Sequence, residues 1–339
     1  MNRVIIIGGG AAGYFTAINA KEKNPELEVI ILEKGKDVLQ KVKISGGGRC
    51  NVTHACFDPK ELVEFYPRGA KELLGPFHQF MTGDTFEWFE NRGVPLKIEG
   101  DHRVFPEANT SQAIIDSFQR AIDKLQIKVF TNHGVSSVAP QENKWIVYTK
   151  DQVFEAHQLV IAAGSSKKVW QFCETLGHTI VTPVPSLFTF NINDKRLVDL
   201  LGTSVPNATV KISNTTLEAS GPLLITHWGM SGPAVLKLSA FGARILADKN
   251  YQYNVEVNWL SRPTAKVLNI LLNLKKKEPR KTVILKSPFN EISKRLWERF
   301  VVASDITTAQ NWADVKNIQL EKLANQLTKG VFNANGRTT

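Results

Sequence analysis

The sequence predicts an α/β fold, with a parallel sheet wound by helices in the first half of the chain and a β-rich and then a helical region in the second. Three observations lead there. An unbroken β-branched run, Val4-Ile5-Ile6-Ile7, reads as a strand buried on both faces and enters G-x-G-x-x-G at Gly8, Gly10 and Gly13. Ala17, Ile18 and Ala20 continue a small, apolar helix that Asn24-Pro25 stops, and a second apolar run, Val29-Ile30-Ile31-Leu32, follows directly. Beyond residue 187 short β patterns replace the βα alternation, and beyond 261 leucines return at helical spacing.

Strand, glycine turn and helix in this order leave the first N–H groups of the helix, and its positive dipole end, facing an anion. Gly8 permits the tight turn, Gly10 lets the backbone approach a pyrophosphate, and Gly13 lets the helix pack closely on the strand, with Ala12 between them in the first helical turn. The second strand ends at Glu33, about twenty residues beyond Gly13, where a carboxylate accepts the hydroxyls of a ribose; Lys34 follows it. An acid there disfavours a 2′-phosphate. These residues therefore favour FAD or NAD over NADP and leave those two open.

At 339 residues the chain is long enough for two or three domains, each with its own core. With 42% hydrophobic and 22% charged residues it has ordinary globular composition, and no run approaches the roughly 18 apolar residues of a membrane span. The first strand begins almost at the N-terminus, which leads us to expect a cytoplasmic protein, and three cysteines, an odd number, suit a reducing compartment. Lys and Arg outnumber Asp and Glu by 42 to 32, a net charge of +10. Such a surplus suits nucleic acid, an acidic substrate or a solvated basic face. The densest cluster, Lys275-Lys276-Lys277 with Arg280, Lys281 and Lys286, follows a leucine-rich helical stretch and has no interleaved aromatics, so it reads as a solvated helix end. A small-molecule substrate is expected rather than nucleic acid or membrane; the oligomeric state is not legible.

After Glu33 the chain leaves regular structure for Lys41-Val42-Lys43-Ile44-Ser45-Gly46-Gly47-Gly48-Arg49-Cys50-Asn51. Three consecutive glycines can wrap an anionic or planar ligand with backbone N–H groups, while Lys41, Lys43 and Arg49 supply charge. This loop follows the second strand and so returns to the phosphate edge of the sheet. Together with Arg103-Val104-Phe105-Pro106 and Thr226-His227-Trp228-Gly229-Met230-Ser231-Gly232-Pro233, these motifs resemble the BaiN-like FAD-dependent oxidoreductases over essentially the whole chain. The resemblance implies FAD rather than NAD, lying across a Rossmann-like FAD/NAD(P)-binding domain with the glycine loop beside the flavin. NAD(P)H is the accompanying candidate reductant. The expected cofactor contacts are Gly8, Gly10, Ala12, Gly13, Glu33, Lys34, Lys41, Ser45, Gly46, Arg49, Cys50 and Asn51.

Residues 57–93 read as helical, with Leu73, Leu74, Phe77, Phe80 and Met81 on one apolar face before Phe86, Trp88 and Phe89. Leu96–Glu99 and Arg103–Phe105 flank a turn at Gly100-Asp101-His102 as a hairpin, on which Arg103 is placed either to face an anionic substrate or as a surface residue. Asn109, Thr110 or Ser111 caps a helix in which Ile114, Ile115, Phe118, Ala121, Ile122 and Leu125 recur with a 3.6-residue period. Lys128–Thr131 is the third parallel strand, residues 134–156 form a β-meander, and Gln158–Ala162 returns to the sheet, ending at Ala163-Gly164. By the resemblance, the main chain at Val135 meets the adenine and Gly164 lies near the pyrophosphate edge.

The expected division is therefore a FAD-binding Rossmann-like domain over 1–186, an inserted small β-barrel or sandwich over 187–260, and an inserted helical subdomain over 261–330. In the resembled family a further segment returns to the first domain with a last strand and a second cofactor contact. Residues 331–339 are expected to begin that return, with the remainder missing.

Other chemistries fit less well. Five residues intervene between Cys50 and Cys56, too wide a spacing for the paired thiols of flavin disulfide reductases. The His and Cys positions lack the close pairing of a zinc site, so no metal is expected. Gly229-Met230-Ser231-Gly232 is followed by Pro233 and fails the G-x-S-x-G elbow. His227 is the candidate acid or base, because imidazole titrates near neutrality. Two alternatives stand beside a flavin oxidoreductase: an NAD-dependent dehydrogenase without flavin, and a non-enzymatic protein that binds flavin or nucleic acid.

Overall fold

The computed structural model describes residues 2–339 and separates into two compact units, the first running to Val181 and the second comprising Thr182–Thr339. The division falls slightly ahead of the expected boundary at 186.

The first unit is built on β1 (Arg3–Ile7), α1 (Ala11–Lys23) and β2 (Glu28–Leu32). Four parallel strands lie in the order Gln158–Ile161, β1, β2, Lys128–Phe130. Side chains alternate across this sheet, and both faces are covered, which is why the two central strands are apolar from Val4 to Ile7 and from Val29 to Leu32. Ile6 and Ile31 pack with Tyr14, Ile18, Ile114 and Phe118 from the helices α1 and Ser111–Lys124 on one side. Ile5, Ile7, Ile30 and Leu32 pack on the other with Val135, Val147 and Phe154 of the antiparallel meander Val135–Gln141, Lys144–Thr149 and Val153–Ala156. Each such isoleucine, fully removed from water, contributes about 1.5–3 kcal/mol. Thr110 is the cap of the second helix, its hydroxyl accepting from Gln112 N at 3.3 Å.

Two local expectations change. Residues 57–93 resolve into three helices, Pro59–Val63, Ala70–Phe77 and Thr82–Glu90. The middle one buries none of its residues and stops at Phe77, which leaves Phe80 exposed beyond it; Trp88 and Phe89 of the third enter the core instead. The hairpin of Leu96–Ile98 and Arg103–Pro106 gains a third strand, Thr53–His54, too short to show a pattern.

In the second unit six antiparallel strands close a barrel in the order Thr189–Ile192, Gly229–Ser231, Glu218–Ile225, Ser204–Ile212, Gln252–Asn258, Gly330–Thr338. The helices Thr264–Lys277, Lys294–Ala303 and Asn317–Lys329 insert Leu271, Trp297, Phe300, Leu320 and Leu327 into the same core as Phe190, Val210, Val257 and Phe332 of the barrel. The β-rich and helical stretches thus share one core. Residues 331–339 do not begin a return to the first domain. Phe332 and Ala334 are buried and alternate with exposed Val331, Asn333 and Asn335, so the strand fits a half-buried barrel wall and pairs on both edges, rather than a parallel sheet buried on both faces.

Candidate functional site

The chain reverses at the C-terminal edge of the parallel sheet, between β1 and α1. Gly8 has φ +118°, and a Cβ there would lie 2.5 Å from the Ala162 carbonyl oxygen; at Gly13 it would lie 2.0 Å from that of Gly8. The fold itself requires both glycines. Gly10 differs: its φ of −91° suits any residue, and an added Cβ would meet nothing within 4 Å. Gly10 is also the N-cap of α1 and brings no side-chain cap, so the amides of the first turn, with exposed Ala11 and Ala12, face open space.

Glu33 is held beside this turn. Gly9 N donates to its Oε2 at 2.8 Å and Gly35 N to its Oε1 at 2.7 Å. A carboxylate has about four acceptor positions, so two remain for hydroxyl donors. His133 N donates to the Glu33 carbonyl at 2.8 Å, and a Cβ on Gly134 would come within 3.2 Å of the Lys34 side chain. Glu33, Lys34 and the main chain leading to buried Val135 therefore sit together. From the other side, Lys41 Nζ donates to Ser165 Oγ at 3.2 Å and would lie 3.6 Å from a Cβ on Gly164. This cation lies at the end of the strand Gln158–Ile161, next to the strand that feeds the glycine turn.

The glycine-rich stretch begins as a short helix at Gln40 and departs from helical angles at Ser45, Gly46 and Gly47. Gly46 has φ +56°, and a Cβ there would strike Asn51 N at 2.6 Å and the Phe105 ring at 2.9 Å. Ser45 Oγ donates to the Val42 carbonyl at 2.9 Å, and Cys50 N to that of Ser45 at 3.0 Å. Burial pushes the Cys50 thiol up from its ordinary pKa, opposed by a hydrogen bond with Ser45, so it is held as a thiol and packs in the core. The Asn51 amide, oriented to satisfy its neighbours, donates to the carbonyls of Thr53 at 3.0 Å and Val104 at 3.3 Å.

Arg49 does not present a free charge. Its Nη1 donates to Glu99 Oε1 at 2.6 Å and its guanidinium lies 3.9 Å from the Phe105 ring centroid. Arg103 is likewise paired, with Asp101 at 2.7 Å. Sequence reasoning missed Glu99 and Phe105 as supports of this turn, since their partners lie far away along the chain; Ser165, directly after Gly164, was within reach of it. His227 is in the other unit, exposed on the turn before Gly229–Ser231, with its ring edge-on to Trp228 at 5.2 Å.

The donors present suit a dinucleotide: uncapped amides for a diphosphate, a pre-positioned carboxylate for a ribose, and a nearby lysine. Among the described residues no group of three or more His, Cys, Asp or Glu side chains is placed to hold a metal ion, and no helix is long and apolar enough to cross a membrane.

The chain is similar to several known proteins. A 3-dehydro-bile acid delta(4,6)-reductase from Clostridium scindens is 26% identical over 270 residues, covering 77% of this chain and 65% of that enzyme, so the aligned region spans just under two thirds of the relative. A ribosomal RNA dihydrouridine synthase from Haemophilus influenzae is 25% identical over 98% of this chain and 82% of its own. Among solved structures, a 3-ketosteroid delta1-dehydrogenase from Sterolibacterium denitrificans aligns with 76% of this chain and 69% of its own at 10% identity and a TM-score of 0.46. The family model described as HI0933-like protein Rossmann domain matches residues 2–336, in keeping with the BaiN-like resemblance, and the chain belongs to that family.

Proposed function

We propose that this protein is an FAD-binding oxidoreductase that passes hydride to or from a small molecule. The observation that carries the reading is the contrast among the three glycines: Gly8 and Gly13 are demanded by neighbouring backbone, whereas Gly10 is demanded by nothing in the protein and borders open space at a helix N-terminus. A diphosphate approaching the backbone supplies the missing reason.

In this reading the amides after Gly10 bind the diphosphate, Glu33 accepts from a ribose, Val135 offers main chain to the adenine, and Lys41 with Gly164 borders the phosphates. Ser45 to Asn51 form the turn that lines the flavin, with Arg49 fixing its shape through Glu99 and Phe105. Bound there, FAD supplies hydride transfer at flavin N5, with NAD(P)H as the proposed source of electrons. The names of the two relatives describe saturation of a carbon–carbon double bond, in a bile acid and in uridine, which supports a reduction of the same kind. His227, exposed on the turn before Gly229–Ser231 and carrying an imidazole that can donate or accept a proton, is the proposed proton donor.

A second reading takes a uridine of RNA as the acceptor; the +10 net charge favours it. RNA binding that weakens steeply with salt, accompanied by loss of uridine on addition of NADPH, would select it over the small-molecule reading.

The test is reconstitution with FAD. The wild-type chain should bind flavin stoichiometrically, and Gly10→Val should lose it while melting within about 1 kcal/mol of wild type, the cost of a poorer N-cap. A Gly10→Val protein that keeps full flavin content refutes the site.

A further inference from the structure

A cavity of about 750 Å³ lies within the first unit, walled by Thr53–His54, the segment through helix Pro59–Val63 and the turn at His102. It lies within the size range of small-molecule clefts. Its apolar lining is largely aromatic. The His54 ring is 4.3 Å from that of Phe65 and 5.9 Å from that of His102, and Phe57 and Phe65 are each 56% exposed, unusually open for phenylalanine.

The polar part of the lining is acidic, against the sign of the whole chain. Asp58 is occupied as the cap of its helix, accepting from Lys60 N at 2.7 Å and Glu61 N at 3.1 Å. Glu61 and Glu64 also line the cavity, and neither side chain has an ion-pair partner among the described residues. No lysine or arginine lines it, and Arg103, next to His102, is neutralised by Asp101.

We propose that this cavity binds an organic cation with an apolar body, a protonated or quaternary amine held among the rings of Phe57, Phe65, His54 and His102 with its charge toward Glu61 and Glu64. Aromatic faces attract cations through their quadrupole, and two unpaired carboxylates add a complementary field. An anion would meet the same carboxylates with repulsion. Burial, and then the neighbouring His102, hold His54 below the ordinary imidazole pKa, partly offset by Asp101; at neutral pH that ring is uncharged and does not oppose a cation. This site is separate in its chemistry from the dinucleotide turn, which is built for anions.

Calorimetric titration of the full chain with benzyltrimethylammonium, benzyl alcohol and phenylacetate tests the assignment, with the His54 and His102 ring-proton signals as a second readout. Saturable binding of the cation, roughly tenfold tighter than the alcohol and tighter still than phenylacetate, with shifts of both histidines, is the expected result. The double variant Glu61→Gln/Glu64→Gln, at two exposed positions, should weaken the cation roughly tenfold at an unchanged melting temperature. Failure of the cation to saturate, equal affinity for all three probes, or undiminished binding by the double variant overturns the proposal.

Discussion

Gly8, Gly10 and Gly13 share one motif and serve two different purposes. Substitution separates them: Gly13→Ala forces a Cβ into the carbonyl of Gly8 and must disturb the fold, whereas Gly10 has room. Charge at single residues is similarly local. Glu28, in the strand between those carrying Arg3 and Lys128, accepts from Arg3 Nε at 2.8 Å and from Lys128 Nζ at 3.0 Å, and these bonds, Arg3 first, hold its carboxyl below the usual range. A depressed folded pKa stabilises the protein above the unfolded carboxylate pKa of about 4.3, and that contribution disappears as pH falls through the folded value. Glu28→Gln should therefore cost up to about 1 kcal/mol at pH 7, a part-exposed pair being worth no more. Urea melts of both proteins at descending pH should converge in acid; a deficit independent of pH would show that the bonds act through packing alone.

Elements were legible where the local pattern matched their surroundings. The strands β1 and β2 are apolar after their first residues, Arg3 and Glu28, because helices cover one face and the meander the other, and α1 begins directly after Gly10. The segment 331–339 was misread because its asparagines hide a period-two pattern carried by only Phe332 and Ala334, and because the edges it joins, Thr189–Ile192 and Gln252–Asn258, are remote in sequence. The support of Arg49 was hidden for a similar reason: its partner Glu99 lies fifty residues away along the chain. The barrel seam that follows is equally demanding. Gly229 has φ +143°, and a Cβ there would lie 2.4 Å from the Phe190 carbonyl oxygen and 2.5 Å from Ile192 N. Gly229→Ala should destabilise the barrel by about 3 kcal/mol, through both backbone strain and collision. Thermal unfolding followed by tryptophan emission measures it, and a variant within about 0.5 kcal/mol of wild type would mean that the turn at 226–229 relaxes freely.

Across the whole molecule, the hydrophobic clusters sort by unit: residues 4–172 form two, on either side of the parallel sheet, and residues 188–334 form a third that joins barrel and helices. A ligand held at the glycine turn acts on the first unit's stability, while a cavity in the third cluster acts on the second's. FAD at about a hundredfold excess over its dissociation constant should raise the stability of the first unit by about 2.7 kcal/mol. Trp297 is fully buried in the second unit, its Nε1 donating to the Val283 carbonyl at 2.9 Å, and Trp297→Ala should cost that unit about 3–5 kcal/mol. Scanning calorimetry with and without FAD is the measurement. The flavin should shift one transition, the substitution should lower the other, and flavin affinity should be the same in both proteins. A single transition moved by both changes, or a Trp297→Ala protein that no longer binds flavin, would show that the two units unfold as one and that the cofactor site depends on the barrel.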